Sequence, residues 1–167
     1  MKLTIKPITE RTWQIVIPTK DNSGYPIRRD VFNKYIESLS SHFGGVTITD
    51  GYGCYVDNNK KLVCEPNKVV LASRDFQNPY DESPDIIKFK TLCNTEDKMK
   101  TDECIRLANS ILKKDVEFMK NFAKQVGNEL GQDTIFVFED IVQDVSFIKG
   151  RKKESLLDEN KSIPLPI

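Results

Sequence analysis

Residues 50–66 read DGYGCYVDNNKKLVCEP, and the folding of this stretch decides the rest. The alternation on either side of Asn58-Asn59 reads as two strands joined by a tight turn. With a three-residue turn, Asn58 to Lys60, Val56 faces Leu62, Tyr55 faces Val63 and Cys54 faces Cys64. That register keeps apolar side chains opposite one another, and a slip by one residue would break those pairs. Cys54 and Cys64 then share one face. Thr47, Thr49, Gly51, Gly53, Tyr55, Val63 and Glu65 share the other. A cross-strand disulfide is sterically awkward at a directly opposed pair, so two packed thiols are expected.

The glycines need a reason, because glycine weakens a strand interior. Gly51 and Gly53 either mark a bulge or clear a depression beside Tyr55 and Glu65 that a ligand can enter. Tyr55 and Glu65 are diagonal neighbours, about 7–8 Å apart between backbones. A phenol and a carboxylate so placed can touch one small molecule. In the plainer alternative Tyr55 packs and Glu65 is a solvated carboxylate beside Pro66.

Working outward, the second strand runs Val46 to Asp57 and the third Leu62 to Arg74, with a bend or bulge expected at Pro66. Upstream, TWQIVIPT (12–19) alternates Trp13, Ile15 and Ile17 against Gln14 and Val16, a strand ending near Pro18. RRDVFNKYIESLSSHF (28–43) places Val31, Phe32, Tyr35, Ile36, Leu39 and Phe43 on one helical stripe, and Gly44-Gly45 ends it. His42, the one histidine, falls in the last turn, where free carbonyls or solvent are its expected neighbours. Residues 75–101 are polar and carry two prolines. They read as a functional lid or a mobile insertion, within which IIKFKTL can form a short extra strand. Thr101 or Asp102 caps a long helix whose apolar period runs from Cys104 to Leu130, with Gly131 at its C-terminus. TIFVFEDI and then VSFI supply the last strand or strands. The tail from Gly150 is expected to be disordered or draped over a neighbour.

The order is β-α-β-β-α-β. It predicts an α+β, ferredoxin-like domain over residues 1–149, with 150–167 as a polar tail. Its four-stranded antiparallel sheet has both helices on one face. The other face stays open, and oligomerisation is the usual cover.

The chain has 167 residues, with Lys plus Arg and Asp plus Glu at 25 each. A neutral chain argues against a sequence-independent nucleic-acid binder. No apolar run approaches the ~20 residues of a membrane span, and the N-terminus lacks a signal-peptide core. The expectation is a cytoplasmic protein with no membrane partner. None of the four cysteines forms a C-x-x-C pair. Reduced, packed thiols are therefore expected rather than a zinc site built from distant cysteines, and no metal ligands are assigned. P-loop, Rossmann and nucleophile-elbow signatures are absent.

The run TDGYGCYVDNNKKLVCEPNKVVLAS, a long helix and then ELGQDTIFVFE together resemble a group of small ferredoxin-like proteins of bacteria and phages. One branch, the phage S-adenosylmethionine lyases, is similar at three points. These are G-x-Y at the end of the second strand (Gly53-Cys54-Tyr55), a glutamate early in the third (Glu65), and an acidic residue after glutamine before the last strand (Gln132-Asp133). The order of elements matches over roughly residues 12–149, the motifs over about a dozen residues. Residues 75–101 and the tail fall outside the resemblance. It implies a homotrimer with active sites between subunits and a lyase reaction on a small-molecule substrate, with no separate cofactor. The substrate's own carboxylate would attack the γ-carbon of its methionine part and expel the sulfonium group. Methylthioadenosine and homoserine lactone would result. Some relatives are thought to act on an S-adenosylmethionine–AMP conjugate, a second messenger of type III CRISPR defence, and the motifs do not choose between the two substrates. The resemblance implies that Glu65 pairs with the substrate ammonium and that Tyr55 orients the substrate. Asp133, standing where a relative has the longer glutamate, would add a polar contact. Gly51 and Gly53 would give the substrate room. Two other classes stay open: a non-catalytic ligand-binding or oligomerising module, and an RNA binder using aromatics of the open sheet face.

Overall fold

The computed structural model describes residues 10–133 and 135–142. Its elements are β1 (Glu10–Pro18), α1 (Arg29–Phe43), β2 (Val46–Val56), β3 (Leu62–Arg74), α2 (Pro84–Leu92), α3 (Glu96–Met99), α4 (Asp102–Leu130) and β4 (Val137–Val142). The four strands pair antiparallel in the order β2-β3-β1-β4. This is an α+β architecture consistent with a ferredoxin-like fold, with four helices among the described residues where two were expected. The expected VSFI strand and the tail lie outside the described residues.

Strand alternation builds the core. Trp13, Ile15 and Ile17 of β1 and Val70 and Ala72 of β3 are buried. They form one cluster with Tyr35, Leu39 and Phe43 of α1 and with Ala108, Ile111, Leu112, Met119, Phe122 and Val126 of α4. Gln14 of β1 and Leu71 of β3, which alternate with them, line the opposite face together with Thr47 and Thr49 of β2. Gly44 closes α1 in the left-handed region at φ 81°, donating its N–H to the Ser40 carbonyl. The Thr101 hydroxyl caps α4 by accepting from the Cys104 N–H.

The 75–101 segment corrects the sequence reading. It is neither an open loop nor a strand. Residues 75–83 wind through three successive side-chain turns. Asp75, Asn78 and Asp81 each accept from the backbone N–H two residues on, at 2.8, 3.0 and 3.0 Å. Such Asx turns give a polar stretch a fixed path. Pro84 then starts α2 at a position where its missing N–H costs nothing. Ile86 and Phe89 lie one turn apart and are fully buried. IIKFKTL is therefore a helix docked on α4 rather than a strand, with Ile86 and Phe89 in the core.

The cysteines are a second correction. They form two disulfides, Cys54–Cys64 and Cys93–Cys104, not packed thiols, and no zinc site draws on them. Among the described residues no helix is long and apolar enough to cross a membrane.

At the C-terminal end of α4 the Tyr35 hydroxyl donates to Glu129 Oε2 at 2.6 Å, and Gln125 donates to Oε1 at 2.8 Å. Those hydrogen bonds, the tyrosine's first, hold the Glu129 carboxyl below its ordinary 4.5. Burial first, and then the same contact, push the Tyr35 phenol up. A depressed carboxyl contributes stability that is present above its unfolded pKa and lost as pH falls through its folded one. Tyr35→Phe should thus lower stability by about 1 kcal/mol at pH 7. The gap from wild type should narrow toward pH 3, as read by urea melts at both values.

Candidate functional site

The hairpin adopts the register read from the sequence. Val56 faces Leu62, Tyr55 faces Val63, Cys54 faces Cys64, Gly53 faces Glu65 and Gly51 faces Asn67. Its turn spans Asn58 to Lys60. The Asp57 N–H donates to the Lys61 carbonyl at 2.9 Å, and Lys60 takes the left-handed conformation at φ 61°. This pairing of Asp57 with Lys61 makes Cys54 and Cys64 a narrow, non-hydrogen-bonded pair, with Cα atoms 4.1 Å apart. The same alternation puts Pro66 opposite Tyr52 at a narrow pair. There its nitrogen owes β2 no hydrogen bond, so β3 passes Pro66 in unbroken register with β2 and the expected bulge does not occur.

The hairpin outruns the rest of the sheet. β1 reaches β3 only as far as the Pro18–Asn67 pair. Beyond it, residues 52–66 form a two-stranded arm. Tyr52 lies on the helix side of the arm but past the helices, and is 72 % exposed. Tyr55 is 54 % exposed on the other side. Glu65, half-buried, lies on that same side as Tyr55's diagonal neighbour. The structure thus brings the phenol and the acid together on one face.

Asp133 is not brought to them within one chain. It is exposed just past Gly131 and leads into β4, so β1 stands between it and β3.

The glycines have a different neighbour from the one expected. A Cβ on Gly51 would sit 2.2 Å from Asn67 Oδ1 and 3.0 Å from Val69 Cγ2, and one on Gly53 would sit 2.9 Å from Asn67 Nδ2. The hollow exists, but the Asn67 carboxamide lies in it. Its Oδ1 is buried with no hydrogen-bond partner, a costly state for a carbonyl. The period of two already places Asn67 beside Glu65, so sequence reading alone had the means to find it. Gly51→Ala should displace this amide and destabilise the protein by about 1–3 kcal/mol. Adding Asn67→Ala should recover part of the loss, a coupling of at least about 0.5 kcal/mol in a double-mutant cycle.

A second polar cluster lies on the helix side of the sheet. Arg74, buried at the end of β3, donates from Nε and Nη2 to the two carboxylate oxygens of Asp115 at 2.9 and 2.8 Å. It also donates from Nη1 to Asp81 at 2.5 Å and from Nη2 to the His42 carbonyl at 2.9 Å. Burial pulls the guanidinium pKa down, but Asp115 and then Asp81 outweigh it and hold it above its ordinary value. The His42 ring donates from Nε2 to Asp115 at 2.8 Å and stacks on Phe118 at 3.8 Å between centroids. His42 does lie in the last turn of α1 with its side chain 26 % exposed, but its ring is tied to Asp115 rather than to free helix-end carbonyls. A cleft of about 220 Å³ opens beside the network, with Lys114 and Asp85 paired at 2.5 Å in its wall. The charged groups of this wall are matched within the chain, so the cluster works as a lock between β3, α4 and the 75–83 turns.

Comparison with known proteins adds the following. A phage SAM lyase in complex with S-methyl-5'-thioadenosine is similar at 12 % identity and a TM-score of 0.48, over 92 % of this chain and 100 % of the other. The apo state of a phage SAM lyase is similar at 14 % identity and a TM-score of 0.45, over 92 % and 98 %. A de novo designed protein with a ferredoxin fold is similar at 11 % identity and a TM-score of 0.22, over 88 % and 96 %. No protein-family model matches the chain, and no curated protein matches it.

Proposed function

We propose that the chain is a lyase that cleaves the sulfonium C–S bond of S-adenosylmethionine or of its AMP conjugate. The observation that carries this reading is the shared face of Tyr55 and Glu65 on the arm, at the G-x-Y and glutamate positions of the resemblance. The chemistry asks little of a protein. Nucleophile and leaving group already belong to one molecule, and holding it in a near-attack shape can supply much of the rate. The substrate carboxylate is ionised at neutral pH. It closes on the γ-carbon as the C–S bond breaks, the electron pair leaves on sulfur, and a neutral thioether and a lactone result. Glu65 pairs with the substrate ammonium, and Tyr55 orients it through the hydroxyl. Asp133, out of reach within one chain, completes the site from a neighbouring copy in a homotrimer. The setting is the cytoplasm, in phage or CRISPR defence. Incubation with each substrate, followed by mass spectrometry, should release methylthioadenosine or its adenylylated form with homoserine lactone. Folded protein that consumes neither substrate would refute the reading.

A second reading, a non-catalytic oligomerising module, draws on the same assembly surface that the trimer would need. Phe138, opposite Gln14 on the open face, is 46 % exposed and Phe136 just before β4 is 60 % exposed, as an assembly surface would be. In that case calorimetry finds a ligand bound and recovered unchanged, or none bound.

A further inference from the structure

We propose that the Cys54–Cys64 disulfide is a redox-controlled clasp that sets the rigidity of the β2–β3 arm. Past the Pro18–Asn67 pair no third strand flanks the arm, and the Thr19 hydroxyl reaches only its base, donating to the Pro66 carbonyl at 2.9 Å. A two-stranded ribbon without a third strand or an apolar cover is marginal in water. Tyr52, Val56 and Leu62 are all largely exposed, so the arm has little apolar cover on its helix side. The cross-link spans a sequence separation of 10. Removing a loop closure of that size raises the open population about a hundredfold.

Access separates the two disulfides. Cys54 is exposed, whereas Cys93 and Cys104 are buried. Exchange requires a thiolate to reach a sulfur, so an external thiol opens the arm bridge first. Its thiolate attacks one sulfur and forms a mixed disulfide, and a second thiol displaces it. Two electrons and two protons end on Cys54 and Cys64, and the reductant leaves as its own disulfide. Tyr55 and Glu65 sit on either side of this bridge, so oxidation orders them and reduction frees them. The consequence for a ligand rests on the function proposed above; the loosening of the arm does not.

The test uses the full chain with graded dithiothreitol, alkylation read by mass spectrometry, and amide hydrogen exchange. Cys54 and Cys64 should be alkylated at reductant levels that spare Cys93 and Cys104. Exchange at Gly53, Tyr55, Val63 and Glu65, the bridging amides of this register, should speed up about a hundredfold while β1 is unchanged. Cys54→Ser with Cys64→Ser should reproduce this without reductant. Reduction of Cys93–Cys104 first, or equal exchange at the arm in all three states, would overturn the proposal. Because exchange needs no substrate, absent lyase activity with a loosened arm would count against the proposed function alone.

Discussion

Replacing Asp115 by alanine is expected to destabilise the protein by about 3–5 kcal/mol, the usual loss when one member of a buried ion pair is removed. For a chain of this size that is a fall in Tm of roughly 6–20 °C. The size follows from what is left behind. Asp115 takes three hydrogen bonds, two from Arg74 and one from His42. Its loss leaves the buried guanidinium with Asp81 as its only carboxylate and takes the His42 ring's carboxylate partner away. Asp115→Asn keeps the shape and one acceptor, and should fall between. A loss under about 1 kcal/mol in the alanine variant, measured by denaturant unfolding, would mean that the cluster does not lock the 75–83 turns to α4.

Glu65→Gln should lower kcat/KM for the consumed substrate by roughly 10- to 150-fold, the range for losing a hydrogen bond to a charged group. The glutamine keeps the length and one acceptor oxygen but cannot pair with an ammonium. Stability should hardly change, since Glu65 is half-buried at the root of the arm. Full activity in this variant would remove Glu65 from the site while leaving the lyase reading in place. Tyr55→Phe asks the parallel question of the hydroxyl with the ring retained.

The parts of the fold that follow short-range rules were legible in the sequence. The hairpin register came from apolar pairing and turn length. The β1 face came from the period of two at Trp13, Ile15 and Ile17, and both long helices came from stripe and cap. Residues 75–101 were not legible, because their order depends on distant partners. Ile86 and Phe89 mean little until α4 lies beneath them. Asp81 reads as a loop carboxylate until Arg74 arrives from β3. Asp115 carries a signal of its own: it sits three residues after Leu112 and four after Ile111, on an apolar stripe, where a carboxylate needs a buried partner. The opposed cysteines were placed correctly but given the wrong chemistry, because a narrow pair brings the two backbones close enough to bond. At the candidate site, Tyr55 and Glu65 fell on one side as read. The hollow beside them holds the Asn67 amide.

The strand order also constrains how the chain can be made. β1, the first of the described strands in chain order, is an inner strand, and one of its neighbours is β4, so Glu10 must wait for Val142. Contacts so far apart in sequence slow folding. During synthesis the backbone edge of β1 that β4 covers stays unpaired, exposed to aggregation until nearly all of the described chain has emerged.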